Sequence, residues 1–178
     1  DGVVSDIIVI FQRSGRYIAF SVNATKLITL PDESNRVEVF DSASDVVVYD
    51  TERHELYSVP ELMRGDRFET FPSFSPAGDK LYFCTADSVE MPARYKEARY
   101  SLCSIGFDAA SGRLGRDVDT LCNARTTGRS VSFPRVSPDG AFMLYALSDY
   151  GTFSIWHRDA DLRMIDLRSG REVETSAV

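Results

Sequence analysis

Few residues in this sequence could do chemistry, and their spacing argues against most of it. The two histidines, His54 and His157, lie far apart, and the strand order argued below sends them to opposite ends of the molecule. A two-histidine metal site or a Ser-His-Asp relay across them is therefore geometrically poor. Asp117-Val118-Asp119 and Asp159-Ala160-Asp161 are D-x-D pairs. Such pairs hold a divalent cation only when a loop adds further oxygens, and neither is followed by the Gly and Glu of a calcium loop. The cysteines are Cys84, Cys103 and Cys122; an odd number cannot all pair, and no CxxC is present. Cys84 and Cys103 fall on neighbouring strands, where a bridge is conceivable, but buried free thiols acting as small hydrophobes are the expected state. Glu69 is a carboxylate near the start of an inner strand, with no counterpart at Ser132 or near Ile8, whereas glycoside hydrolysis needs a facing pair. G-x-S-x-G, H-E-x-x-H and Walker-type signatures are absent. The expectation is a chain that is not an enzyme, with no cofactor and no metal.

Binding chemistry has better material. The stretch from Ser148 to Asp161 holds Asp149, Tyr150, Phe153, Trp156, His157 and Arg158, with the single tryptophan beside His and Arg. That composition is typical of residues dominating protein contacts; the competing reading packs Trp156 back onto its own sheet. A second stretch carries Arg94, Tyr95, Lys96 and Arg99, a basic-aromatic group suited to an acidic peptide or an anionic glycan, or else a solvated hairpin.

The elements that position these residues are read from an internal repeat. Phe71-Pro72-Ser73-Phe74-Ser75-Pro76-Ala77-Gly78 returns 62 residues later as Phe133-Pro134-Arg135-Val136-Ser137-Pro138-Asp139-Gly140. A weaker copy surrounds Gly15 and lacks the proline. Asp50, Asp108 and Asp166 recur every 58 residues, each ending an apolar run and opening a short turn. Each unit reads as four antiparallel strands A to D. Strand A is brief (72–75 and 134–137), B covers 80–85 and 142–147, C covers 100–107 and 162–167, and D covers 114–121 and 171–175. The repeated aspartates are expected to cap C–D hairpin turns by accepting backbone N–H bonds. His54 stands where the other copies have glycine and is expected to take a left-handed turn conformation. The A–B and C–D turns are tight, while the B–C connections are long: 23–45, 87–99 and 148–161. Loop length is thus gathered, with the D–A connections, at one end, where binding on rigid scaffolds usually lies.

Four-stranded units at this period make an all-β β-propeller of three visible blades, over about residues 6–60, 69–122 and 131–178 of one 1–178 segment. The F-P-x-F-S-P-x-G-x-x-L-Y-F copy and the D-L-R-S-G-R-E passage at 166–172 resemble the PD40 (WD40-like) repeat of TolB-like propellers. The 148–158 stretch is similar to extracytoplasmic TolB-like proteins of Gram-negative bacteria. The resemblance implies a periplasmic scaffold that binds a protein or peptide through the B–C/D–A end. The alternative is the propeller portion of a peptidase or of a carbohydrate-active enzyme, and a glycan is the second ligand class. Three blades do not close a ring, so the segment is either part of a longer propeller, the favoured reading, or half of a six-bladed ring completed by a second copy.

Composition agrees. Apolar residues make up 43% and charged residues 26%, and the net charge is −7, which repels nucleic acid in the absence of a basic run. No apolar stretch approaches the roughly 18 residues of a membrane-crossing helix, and the opening residues carry no leader pattern.

Overall fold

A computed structural model describes residues 9–29, 37–152, 154 and 157–174. The strands are β1 Ile10–Phe11, β2 Tyr17–Thr29, β3 Val37–Asp50, β4 Glu55–Tyr57, β5 Arg67–Phe74, β6 Lys80–Asp87, β7 Ser101–Asp108, β8 Arg113–Cys122, β9 Ser130–Val136, β10 Phe142–Ser148, β11 Asp161–Asp166 and β12 Arg171–Val173. Pairing within each group of four is antiparallel, and the groups β1–β4, β5–β8 and β9–β12 are the three blades. A parallel bridge, Ser44 to Phe68, joins the first two blades into one hydrogen-bonded sheet.

The middle blade shows why the sequence alternates so little there. All six inner positions of β6, Leu81 to Ala86, are buried, because both faces of that blade are covered. Leu81 and Phe83 pack with Cys103, Ile105 and Phe107 against Tyr17, Val46 and Val48 of blade 1. Tyr82, Cys84 and Leu102 pack the other way, against Val131, Met143, Tyr145 and Ile165 of blade 3. The register settles the cysteines. Cys84 faces Leu102 and Cys103 faces Phe83, so the two thiols project from opposite faces of the blade and all three cysteines are free.

The turns follow the expected chemistry. Asp50 Oδ1 accepts the N–H groups of Glu52 and Arg53 at 2.9 and 3.1 Å, and Asp166 Oδ1 those of Arg168 and Ser169 at 2.8 and 2.9 Å. Asp108 accepts from Ala110 at 2.9 Å. His54, Gly112 and Gly170 all take left-handed φ angles, at 58°, 77° and 68°. In the A–B turns, Ser75 and Ser137 accept the Lys80 and Phe142 N–H groups at 3.1 and 2.9 Å. Blade 1 has no serine there, and the Gln12 side chain accepts from the Ser14 N–H at 2.8 Å instead.

Two expectations need correction. Strand A is not brief: β5 and β9 begin well upstream of Pro72 and Pro134 and run through them. Pro lacks a ladder donor, and each strand accommodates it with a register shift. Phe71 and Phe133, just ahead, take φ of 51° and 52°, and their rings meet across blades 2 and 3 at 4.6 Å. Nor is the first B–C connection a loop. β2 and β3 continue as a two-stranded ribbon to the Thr29–Val37 pair, with one irregularity between Ala24 and Thr25. The β-branched residues on both sides of this stretch favour that ribbon, and from it Phe40 reaches the core cluster between blades 2 and 3.

Bonds between blades gather at the long-connection end. Ser44 donates its hydroxyl to the Glu69 carbonyl at 2.6 Å. The Val131 N–H reaches the Tyr100 carbonyl at 2.8 Å and the Gly151 N–H the Ala98 carbonyl at 3.0 Å. The outward faces of the end blades stay open, with Phe11 and Leu56 on one and Leu144 and Leu162 on the other.

Candidate functional site

The second and third B–C connections meet rather than standing apart. Tyr95, on a short 3-10 turn at Tyr95–Glu97, packs edge-on against Phe40 of the ribbon at 5.2 Å and against Tyr150 of the third connection at 5.5 Å. Tyr150 in turn lies 4.0 Å from the His157 ring. The result is a ladder of four rings, contributed by all three blades. Gly151 permits it: a Cβ there would sit 2.3 Å from Tyr100 Cδ2, so only a residue without a side chain lets the third connection lie on the second. His157 is anchored through Nε2, which donates to the Thr152 carbonyl at 3.0 Å.

The base of the third connection is a charge knot. Arg129, at the end of the D–A connection, reaches Asp161 at 2.7 Å, Asp159 at 3.1 Å and Asp149 at 3.7 Å. Asp159 also accepts the Asp149 N–H at 2.9 Å. Hydrogen bonds from Arg129 and then Arg163 hold the Asp161 carboxyl below the usual carboxylate range. The D-x-D pair thus serves as an arginine clamp. Arg129 escaped sequence reasoning, although three aspartates crowded into one connection require a counter-charge.

A cleft of about 710 Å³ opens on blade 2. Thr85, Ser101, Cys103 and Thr120 line it, on the face that packs against blade 1 further down. It exists because β4 has three residues where β8 has ten, so the outer half of blade 2 lacks a strand opposite it. Burial pushes the Cys103 thiol up, away from nucleophilic chemistry. Just behind the cleft, Glu69 is fully buried. Its Oε1 accepts from Thr85 at 3.2 Å, and its Oε2 has no hydrogen-bond partner. Burial, with Asp45 nearby, raises this carboxyl to about 7.

The anticipated residues divide accordingly. Tyr95, Tyr150 and His157 come together in the ladder, with the Lys96 ammonium 5.7 Å from the Tyr95 ring. Asp149 joins the knot. Arg94 turns to the cleft and pairs with Glu97 at 2.5 Å, while Arg99 bonds the backbone carbonyls of Lys96, Ala98 and Gly128. Arg158 is exposed. Phe153 and Trp156 lie outside the described residues.

No protein-family model matches the chain, and no curated protein matches it. Solved structures do. A prolyl endopeptidase superposes with a TM-score of 0.58 at 12% identity, over 92% of this chain and 20% of its own. A putative TolB from Agrobacterium tumefaciens gives 0.50 at 12% identity, over 97% of this chain and 66% of its own. The chain is a β-propeller segment. Dipeptidyl peptidase 4 of Porphyromonas gingivalis gives 0.50 at 10% identity, and the propeller segment covers 97% of itself and 26% of that enzyme. At these identities the likeness reaches the fold, and the segment spans less than two thirds of any of the three.

Proposed function

We propose that the segment is a non-enzymatic, extracytoplasmic scaffold of the TolB-like, PD40 type that recognises a protein or peptide through its B–C/D–A end. One observation carries this reading: rings from three blades converge there into a single ladder, in which buried Phe40 and His157 hold the half-buried Tyr95 and Tyr150 at the surface. At the opposite end, polar side chains are spent on their own turns. Tyrosine and arginine on a rigid frame supply contact area at little entropic cost. The contact residues are Asp149, Tyr150, Trp156, His157 and Arg158 with Arg94, Tyr95 and Lys96. The periplasmic assignment rests on the repeat's resemblance and on the likeness to the putative TolB; among the described residues no helix is long and apolar enough to cross a membrane.

The test is a cross-linking capture from envelope extract with the wild type and a Tyr150→Ala/Arg158→Glu variant. A protein held by the wild type and lost by the variant supports the scaffold. Identical capture by both removes this end from the binding role. The fold likeness to prolyl endopeptidase and dipeptidyl peptidase 4 supports a second reading, a propeller serving a peptidase. That reading requires a hydrolase domain on the same polypeptide, and peptidase activity in the natural full-length protein would establish it.

A further inference from the structure

The cleft on blade 2 is opposite in charge to the chain that carries it. Arg67, Arg94, Arg99 and Arg125 line it against only two carboxylates, Asp87 and Glu97, in a chain of net charge −7. Those carboxylates are already taken: Arg125 holds Asp87 at 2.8 Å and Arg94 holds Glu97 at 2.5 Å. Arg67 is left 3.6 Å from Asp87, with its Nε buried and without a hydrogen-bond partner. Arg99 is bonded to backbone carbonyls alone among the described residues. The Arg67 side chain is nevertheless 31% exposed, so its outer nitrogens face the cleft although Nε does not, and the group that fits a guanidinium is a carboxylate.

The remaining lining narrows the ligand. Ser101 and Thr120 bring hydroxyls to the lining, that of Thr85 being donated to Glu69, and the lining includes no aromatic ring on which a sugar would stack. The cleft crosses the blade from Arg67 on β5 to Thr120 on β8, and its volume is that of sites holding several linked groups rather than one ion.

We propose that this cleft takes an acidic peptide segment, with one carboxylate on Arg67 and another on Arg99. The proposal rests on the partner-binding reading of the B–C/D–A end and names what one part of that end receives.

Fluorescence anisotropy with labelled hexaglutamate, and with hexaglutamine for comparison, tests it on the 178-residue chain. Hexaglutamate is expected to bind saturably and about ten-fold or more tightly than hexaglutamine. Arg67→Gln and, separately, Arg99→Gln should each weaken it by about ten-fold, at unchanged melting temperature. Arg168→Gln, in a turn at the far end, should bind as the wild type does. Equal binding of the two peptides overturns the proposal, as does full binding by a folded Arg67→Gln variant. Binding of tetragalacturonate without hexaglutamate also overturns it, and makes the cleft a glycan site. The Tyr150→Ala/Arg158→Glu variant should retain hexaglutamate. Failure of the cleft and failure of the ladder are thereby read separately.

Discussion

Asp50, Asp108 and Asp166 hold one position in three repeats, yet only Asp50 is fully buried beneath a guanidinium. Arg16 grips it through Nη2 and Nε, at 2.7 and 3.2 Å, and this hydrogen bonding holds its carboxyl down at about 2. A carboxyl depressed in the folded state stabilises above its unfolded value, and the stabilisation disappears as pH falls through the folded value. Asp50→Asn should therefore lower the denaturation midpoint at pH 7 clearly more than Asp108→Asn does. The gap between the two variants should close toward pH 2. Glu69 carries the opposite sign. Its carboxyl, raised to about 7 by burial, favours the protonated folded state, so stability falls as pH rises from the unfolded carboxyl range through 7. Glu69→Gln should raise the melting temperature at pH 8 and leave it little changed at pH 5.

At the scale of elements, the binding end depends on how closely one connection lies on another. Gly151→Ala forces the third connection off Tyr100, a clash with ring atoms that overpacking measurements place at about 1–3 kcal/mol. The strands are untouched, so the variant should stay folded. Limited proteolysis should cut it within 149–160 faster than the wild type, and its capture of partners should drop. Much of this architecture was legible in the residues. The Asp-turn and Ser-Pro-x-Gly markers are local chemistry; the first located every C–D turn, the second the A–B turns of blades 2 and 3, and with them strands B, C and D of those blades. His54 was recognisable as a left-handed turn residue because glycine fills its place elsewhere. What stayed hidden depends on distant partners. Phe71 and Phe133 read as strand residues until each is seen with positive φ, ring against ring. Asn23 to Asp45 read as a loop because residues 32–36 are all polar, although the stretches on either side pair. The cleft arises from the shortness of β4, which no residue in its lining announces, and Arg129 acquires meaning only from aspartates 20 to 32 positions away.

For the whole molecule, the open outer faces dominate behaviour in solution. Phe11 is 64% exposed and Leu56 63% on the first blade, and Leu144 37% on the third. At the equivalent positions of the middle blade Phe74 and Tyr82 are buried and Leu114 half-buried, so these faces are shaped to receive another blade. Leu56→Lys/Leu144→Lys should reduce concentration-dependent light scattering while leaving the melting temperature nearly unchanged. A stable species of twice 19.9 kDa in the wild type, lost in this variant, would instead indicate a ring closed by a second copy. The placement of the interblade bonds has a consequence of its own. Ser44, Tyr100, Val131 and Gly151 rivet the blades along one margin, as a folding fan is pinned at its handle. Bending motions then spread the tight-turn margin and spare the pinned one. The amides of Val131 and Gly151 should accordingly exchange slowly, and the span between Tyr95 and His157 should hold constant even while the arc of blades flexes.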